Sequence, residues 1–268
     1  DEALNYCEEL IKKGGNFLIE RKLIGEEFSL TSFCDGENLS HMPAVQDHKR
    51  AYEGDIGPNT GGMGTYSDSD HKLPFLEDSH IKLAQKINEQ TAKALKQKFG
   101  EGYKGILYGG FIATNSGVQL IEYNARFGDP EAMNVLSILE TDFIEVCKSI
   151  ISGELNDLDI IFKNLATVCK YAVPDGYPDK PVKGNQIDVS NVKDKDILYH
   201  ASVELESEKL IQVGSRAVAI VGHGESIWEA EQIAEKNISK VQGPLFHRKD
   251  IGTTELIQKK INHMISIK

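Results

Sequence analysis

The spacing of apolar and polar positions predicts helices and short strands in the first third of the chain. Positions 4, 7, 10 and 11 are apolar, a spacing that is typical of a helix. The apolar stretches at 17–19 and 28–33 predict two strands, and Asp35-Gly36 supplies a turn signal after the second. Residues 79–98 again show helical spacing, with lysines mostly on the polar face.

The middle of the chain contains a clear hairpin signal. Residues 106–114 and 118–123 are strand-like, and the Asn115-Ser116-Gly117 turn between them predicts an antiparallel pair. A single helix is expected over residues 130–152. By contrast, residues 46–66 carry much glycine and little apolar periodicity, which predicts a long loop.

Beyond residue 164 the pattern changes to short β-rich pieces that are separated by Gly and Pro turns. Strands are predicted at 166–173, 197–205 and 217–221. A helix is predicted at 226–238, and Trp228 within it is expected to lie in the core.

These elements predict an α+β fold with two parts. An antiparallel sheet with helices is expected over residues 1–160, and a small β-rich C-terminal domain over residues 161–268. The boundary between them is expected at residues 155–165, where the pattern changes.

Bulk composition excludes several classes of protein. The 268 residues carry a formal net charge of -11, which argues against a nucleic-acid-binding surface because such a surface needs a basic stripe. The four cysteines form no C-x-x-C pair, so a zinc site is not expected. We expect the cysteines to be reduced thiols. We expect no membrane association and a cytoplasmic location, because no apolar run could cross a bilayer and no signal segment is present.

The segment from Leu120 to Glu131 carries the most informative polar side chains. Because side chains alternate faces along a strand, Glu122, Asn124 and Arg126 should share one face, while positions 121, 123 and 125 should face packing. A carboxylate and an amide oxygen suit a hard cation such as Mg²⁺, and arginine suits a phosphate or carboxylate. This arrangement would serve phosphoryl transfer. A solvated strand end, with Glu122 paired to Arg126, is the alternative.

A glycine-rich segment, residues 54–64, follows the basic cluster His48-Lys49-Arg50. Glycines let backbone N–H groups converge on an anion, and the cluster supplies positive charge in an acidic chain. A phosphorylated or carboxylate substrate would fit. The spacing is neither a Walker loop nor a Rossmann fingerprint, and a flexible surface loop is the alternative.

Taken together, these segments resemble the phosphoribosylamine–glycine ligase family, also called glycinamide ribonucleotide synthetase. Four stretches carry the resemblance, in the family's order and spacing: residues 46–50, 57–64, 122–131 and 248–252. The run Asn-x-Arg-Phe-Gly-Asp-Pro-Glu in the third is close to a family signature, and the resemblance covers essentially the whole chain.

The resemblance implies an ATP-grasp fold that holds ATP and Mg²⁺ or Mn²⁺. Glu20, Arg21 and Leu23 would border the adenine, and Glu27 would contact the ribose. Glu122 and Asn124 would hold the metal between phosphates.

The implied reaction joins glycine to 5-phosphoribosylamine through glycyl phosphate, which yields glycinamide ribonucleotide, ADP and phosphate in purine synthesis. Its catalytic residues would be Arg126, Lys49 and Asp47, with Arg126 neutralising the acyl phosphate. The residues expected to contact the substrates are Asn59, Gly61, Gly62, Gly128, Asp129 and Pro130.

The chain departs from the family pattern in two ways. The family protein begins with a further α/β domain and a lid over the phosphates, and neither precedes Asp1, so the chain resembles a C-terminal portion whose partner is the missing N-terminal portion. Met133 stands where the signature usually has Glu or Gln. Two alternatives remain: another ATP-grasp carboxylate–amine ligase, and a non-catalytic nucleotide-binding fragment.

Overall fold

Helices and short antiparallel strands build the protein, and a computed structural model describes residues 2–268. The helices within this range are α1 (Glu2–Lys12), α2 (Asp78–Phe99), α3 (Glu131–Ser137), α4 (Phe143–Ser152), α5 (Ile227–Ile238) and α6 (Thr254–Ser266). The strands are β1 (Gly25–Asp35), β2 (Leu39–His41), β3 (Gln46–Asp47), β4 (Arg50–Tyr52), β5 (Ile56–Asn59), β6 (Gly64–Ser67), β7 (Lys104–Thr114), β8 (Gly117–Asn124), β9 (Ala166–Pro174), β10 (Asn185–Ile187), β11 (Leu198–His200), β12 (Val203–Glu206), β13 (Lys209–Gln212), β14 (Val218–Gly224) and β15 (Leu245–Phe246).

The first sheet has four antiparallel strands in the order β2-β1-β7-β8. Helix α2 packs on one of its faces. The buried side chain of Asn88 on α2 donates from Nδ2 to the carbonyl of Leu30 at 3.1 Å, and Tyr123 of β8 donates from its hydroxyl to Asn88 Oδ1 at 3.1 Å. Because neighbouring side chains alternate, the residues beside Tyr123 on β8 face the opposite side, which is open.

The second sheet contains strands from both halves of the chain. Its order is β11-β14-β9-β6-β3, with β15 pairing to β9. Every residue of β9 is buried, and α5 covers the sheet. Strands β3 and β6 precede the 155–165 boundary and the others follow it, so the two parts share a sheet, and the boundary stays a prediction.

The main hydrophobic core joins the two sheets. It includes Phe28 and Phe111 from the first sheet and Tyr66, Val168 and Ile220 from the second. A smaller apolar cluster lies beneath α4 and includes Phe33, Val146 and Leu155. The burial of these side chains is the main force that holds the two sheets together.

The strands predicted at 28–33, 106–114 and 118–123 and the helix at 79–98 are confirmed by β1, β7, β8 and α2. Residues 166–173, 217–221 and 226–238 likewise form β9, β14 and α5. These elements have strong local signals, with turn residues or caps at their ends. Ser226, for example, caps α5 by accepting a hydrogen bond from the backbone N–H of Glu229.

Several of the predicted elements are wrong. Residues 130–152 form two helices because Asp142 starts a new one, accepting from the backbone N–H of Ile144 at 2.7 Å. Residues 46–66 are not a loop but the strands β3 to β6. Residues 17–19 form no strand, and Ile19 is 81% exposed, because no neighbouring strand within residues 2–268 pairs with them.

Two further expectations fail in the C-terminal part. The stretch 197–205 is interrupted between β11 and β12. Trp228 is 60% exposed, because α5 buries the face that carries Ile227, Ala230 and Ala234 instead.

Within residues 2–268, none of the helices combines the length and the apolarity that a bilayer crossing requires.

Candidate functional site

A groove runs along the open side of β8 in three sections that share side chains. The apolar section has a volume of about 460 Å³, the middle section about 400 Å³ and the loop section about 120 Å³. Glu27 and Ile121 line both the apolar and the middle sections, and Asp47, Lys49 and Glu122 line both the middle and the loop sections. The groove is therefore continuous.

The apolar section brings together all four residues that were expected around the adenine and ribose. Glu20, Arg21, Leu23 and Glu27 line it, and Ile112, Leu120 and Ile121 complete the wall. Residues 20–23 form no strand, and they line this section because they directly precede β1 in the chain. The section thus combines an aliphatic wall with charged side chains at its edge, a combination that suits a flat heterocycle attached to a polar group.

The wall depends on a bulge in β8. Gly110 of β7 pairs with Glu122, but Phe111 pairs with Leu120, so Ile121 is an extra residue between two pairs. Ile121 consequently lines the groove beside Glu122 and is 45% exposed. The expectation that Ile121 faces packing is wrong, because strict alternation does not hold across a bulge.

Glu122, Asn124 and Arg126 all line the loop section, which is the shared direction that alternation predicted. Strand β8 ends at Asn124, so Arg126 lies in the following turn, where its Nη1 donates to the carbonyl of Phe127 at 2.7 Å. Ala125 is exposed and not packed, since the strand has ended there. Tyr123 faces α2, as expected.

The oxygens of Glu122 and Asn124 form a suitable pair of ligands for a hard cation. Asn124 Nδ2 lies 3.5 Å from Glu122 Oε1, and no other side chain of residues 2–268 hydrogen-bonds the Glu122 carboxylate. The described residues contain no cluster of three or more His, Cys, Asp or Glu side chains that could enclose a metal. Two ligands fit Mg²⁺, which takes its remaining ligands from water and phosphates.

Two carboxyl groups line the loop section, Asp47, which is half-buried, and Glu131, which is buried. Burial, and then the negative charge of Glu131, raise the pKa of Asp47 well above its usual value. Burial also raises the pKa of Glu131, although its Oε1 accepts a hydrogen bond from the Tyr108 hydroxyl at 2.8 Å. Asp47 Oδ1 is buried without a hydrogen-bond partner among the described residues. A carboxyl group with a raised pKa and a free oxygen accepts a proton more readily than an ordinary one does.

The C-terminal end of the glycine-rich segment is held by backbone hydrogen bonds to the basic cluster that precedes it. Met63 N–H donates to the carbonyl of His48 at 2.9 Å, and Thr60 N–H donates to that of Lys49 at 2.7 Å. Gly61 lines the loop section, and Asn59 lines the middle section. Glycine is required at position 62, where φ is +107°.

The turn after β8 contains the remaining residues expected at the substrate. Gly128 and Asp129 line the loop section, and a side chain on Gly128 would collide with Glu131. Pro130 is buried next to Gly62, and neither residue lines any of the three sections, so both lie behind the groove wall and their contact with substrate stays a prediction.

Charged side chains from the C-terminal part hold the tip of the β4–β5 hairpin. Arg248 is buried and donates to Asp55 Oδ1 at 2.8 Å, and Lys260 of α6 lies 2.7 Å from Asp55 Oδ2. Burial would raise the pKa of Asp55, but hydrogen bonds and charges from His48 and Lys260 lower it strongly. Sequence reasoning assigned no role to these side chains, although Arg248 lies in one of the matching stretches.

Arg216 is a second residue that sequence reasoning missed. Its guanidinium contacts the carbonyls of Gly61 and Gly62 and the carboxylate of Asp129. The only available signal was an isolated arginine before β14, because the partners lie far away in the sequence.

Comparisons with known proteins identify the family to which the chain is similar. Residues 1–132 match the family model of the phosphoribosylglycinamide synthetase ATP-grasp (A) domain, and residues 167–254 match that of the C domain. The chain is 53% identical to phosphoribosylamine–glycine ligase of Methanosarcina acetivorans, over 98% of this chain and 59% of that protein. Against the Methanocaldococcus jannaschii protein of the same name it is 53% identical, over 98% of this chain and 61% of that protein.

Solved structures support the same fold. The crystal structure of phosphoribosylamine–glycine ligase from Thermotoga maritima superposes with a TM-score of 0.79 at 28% identity, covering 91% of this chain and 63% of that one. The biotin carboxylase domain of a thermophilic 2-oxoglutarate carboxylase, at 17% identity, superposes with a TM-score of 0.64, covering 97% of this chain and 55% of that one, and supports the fold alone.

The predicted α+β fold of the ATP-grasp type is therefore confirmed. The chain spans about 60% of the length of the curated relatives that it matches. The two family models follow one another along this chain as the A and C domains. On this evidence the chain belongs to the phosphoribosylglycinamide synthetase family.

Proposed function

We propose that this chain supplies the metal-binding and substrate-binding part of a phosphoribosylamine–glycine ligase. This enzyme would join glycine to 5-phosphoribosylamine with ATP and release glycinamide ribonucleotide, ADP and phosphate, in purine synthesis in the cytoplasm. The names of its relatives support the proposal. The observation that carries it is the continuous groove, which leads from an aliphatic wall past Glu122 and Asn124 to the carboxyl groups of Asp47 and Glu131.

ATP would lie along the groove with its adenine in the apolar section. Leu23, Leu120 and Ile121 would cover the faces of the ring, and Glu20 and Arg21 would border it. Glu27 would accept hydrogen bonds from the ribose hydroxyls, since it lines both the apolar and the middle sections. The phosphates would then extend toward β8.

Glu122 and Asn124 would hold Mg²⁺ or Mn²⁺ between the phosphates. The cation, when bound, would neutralise the charge that builds up on the transferring phosphoryl group. Arg126 would add a positive charge beyond this point, where the carboxylate of glycine attacks the γ-phosphorus and ADP leaves. Glycyl phosphate is the product of this step.

In the second step the amine of 5-phosphoribosylamine attacks the carbonyl carbon of glycyl phosphate, and phosphate leaves. The attacking nitrogen must lose a proton. Asp47 would accept it, because burial and Glu131 raise the pKa of its carboxyl group toward the range where a general base works. Lys49 would balance the negative charge nearby, and Asn59, Gly61, Gly62, Gly128 and Asp129 would shape the space around the two reactants.

A product assay tests this proposal. The full-length gene product should release phosphate only when ATP, Mg²⁺, glycine and 5-phosphoribosylamine are all present, and glycinamide ribonucleotide should be detected by mass spectrometry. Residues 1–268 alone should turn over poorly, because the relatives continue beyond the matched region.

Two other outcomes would point to the alternatives. Turnover with a different carboxylate or amine, but not with this pair, would indicate another carboxylate–amine ligase. Binding of ATP to the full-length product without ADP formation from any such pair would indicate a non-catalytic nucleotide-binding protein, and either outcome would overturn the proposal.

A further inference from the structure

Arg216 connects two segments of the groove wall that are distant in the sequence. It lies between β13 and β14, and its Nη1 donates to the carbonyl of Gly61 at 2.7 Å and to that of Asp129 at 3.2 Å. Its Nη2 donates to Asp129 Oδ2 at 2.7 Å. One guanidinium thus bonds the glycine-rich segment and the turn after β8 at the same time.

One tyrosine stacks on this guanidinium, and a second tyrosine holds the glycine-rich segment that the guanidinium bonds. The Arg216 guanidinium carbon lies 4.5 Å from the centre of the Tyr171 ring, and the Tyr171 hydroxyl donates to Asp129 Oδ1 at 2.8 Å. The Tyr177 hydroxyl accepts from Gly61 N–H at 2.9 Å. The Arg216 side chain is only 15% exposed, so solvent screens its charge little.

These contacts determine which groups remain available to a ligand. The carbonyls of Gly61 and Gly62 and one oxygen of Asp129 are directed to Arg216. The backbone at Gly62 is consequently held against Asp47 Oδ1, which has no hydrogen-bond partner among the described residues. The distance across the loop section therefore depends on Arg216.

We propose that Arg216 is a positioning residue, which holds the glycine-rich segment and the Asp129 turn at the separation that the two reactants require. The proposal rests on the proposed function, because the reactants are those of that reaction. This positioning role needs the planar guanidinium group with its several N–H donors. A lysine ammonium group cannot make the same set of hydrogen bonds and also stack on Tyr171.

Hydrogen exchange tests the positioning without any assumption about the reaction. In the full-length gene product, Arg216→Gln should speed the exchange of the amides of residues 61–63 at least about tenfold, because the segment loses two carbonyl contacts. Lys209→Gln removes the same charge at an exposed position on β13 and should leave this exchange unchanged. Equal exchange in the wild type and in Arg216→Gln would overturn the proposal.

Kinetics test the consequence for the reaction. Arg216→Gln should lower kcat/KM for glycine and for 5-phosphoribosylamine about tenfold or more. It should change the affinity for ATP less than about twofold, because the adenine and ribose would lie in the other two sections and Arg216 contacts none of the proposed phosphate and metal residues. Arg216→Lys should recover little of the loss. Wild-type kcat/KM in Arg216→Gln, an equal loss of ATP affinity, or full recovery in Arg216→Lys would each contradict the positioning role.

A double-mutant cycle separates positioning from direct contact with substrate. If Arg216 acts through Asp129, then Asp129→Asn should be harmful alone and should add little to Arg216→Gln. Additive losses would indicate that Arg216 binds a reactant by itself and would overturn the proposal. A wild type with no ligase activity would refute the proposed function, whereas the exchange experiment would still decide the role of Arg216.

Discussion

The carboxyl group of Asp47 occupies the place where a side chain on Gly62 would lie. A Cβ atom at position 62 would lie 2.9 Å from Asp47 Oδ1 and 2.7 Å from Pro130 Cδ, both too short for a normal contact. The φ angle of +107° at Gly62 is also one that other residues rarely adopt. Glycine at this position therefore leaves room for the Asp47 carboxyl group beside the glycine-rich segment.

Gly62→Ala should lower kcat at least about tenfold, because the added methyl group must displace the Asp47 carboxyl group. It should also cost about 1–3 kcal/mol of unfolding free energy through backbone strain. Steady-state kinetics and urea denaturation would measure the two effects.

Gly54→Ala is the matched control for backbone strain. Gly54 has a φ of +77°, and a Cβ atom there would meet nothing within 4 Å. This variant should lose stability in a similar way but keep its activity. If both variants lost activity equally, strain alone would explain the effect and the contact with Asp47 would be irrelevant.

Glu122→Gln should lower kcat by about 10²-fold or more, because a neutral amide is a poorer ligand for Mg²⁺ and stabilises less of the transferring charge. The concentration of Mg²⁺ needed for half-maximal activity should rise as well. A titration of activity against Mg²⁺ would measure both. Glu204→Gln, which removes an exposed carboxylate on β12, should match the wild type, and similar behaviour of the two variants would refute the metal assignment.

Local signals were sufficient to predict the elements that carry the groove. Two strand-like stretches and a glycine turn located β7 and β8, and alternation correctly grouped Glu122 and Asn124, whereas Arg126 lines the same section from the turn after β8. Alternation failed at Ile121, because a bulge depends on the pairing with β7 and leaves no trace in a single strand.

The contacts that complete the groove could not be predicted in the same way. Arg216 reaches Gly62 across 154 positions of the sequence, and no pattern within either segment indicates this contact. The break between α3 and α4 had a local signal in Asp142, but the apolar spacing on both sides suggested one continuous helix. The Arg216 contact depends on how distant segments pack together, whereas the break between α3 and α4 depends on helix capping by Asp142.

Ile121→Ala should raise the KM for ATP about three- to tenfold and leave kcat nearly unchanged. The bulge directs Ile121 into the groove, where its side chain would cover the adenine, and removing most of it forfeits about 1 kcal/mol of apolar contact. Nucleotide binding can be followed by calorimetry. Leu205→Ala, at a site that is 72% exposed on β12, is the control and should bind ATP like the wild type. Equal affinities in both variants would place the adenine elsewhere.

Lys170→Met should destabilise the protein by about 3–5 kcal/mol, because it leaves the buried carboxylate of Glu231 without its cation. Lys170 Nζ is buried and lies 2.7 Å from Glu231 Oε1, 2.8 Å from Glu235 Oε2 and 2.8 Å from the carbonyl of Lys249. Urea denaturation would measure the loss. Lys209→Met makes the same change at an exposed position, and a loss there of equal size would show that burial of the charge is not the cause.

Glu235 should make the stability of the protein depend on pH in the acid range. Burial alone would raise the pKa of its carboxyl group, but hydrogen bonds from His247 and Lys170 outweigh burial and lower the pKa from 4.5 to about 2. The unfolded chain therefore takes up this proton at a higher pH than the folded protein does. The contribution of Glu235 to stability is complete at pH values above the pKa of this group in the unfolded chain. It is lost as the pH falls toward the pKa of this group in the folded protein.

Glu235→Gln should accordingly be less stable than the wild type at neutral pH, and its free energy of unfolding should fall less steeply between about pH 5 and about pH 2. Urea denaturation across this range would measure both slopes. Glu204→Gln removes a carboxylate that is exposed, so its curve should run parallel to that of the wild type. If the Glu235→Gln curve also ran parallel to the wild type, the hydrogen bonds from Lys170 and His247 would not be holding Glu235 in its charged form.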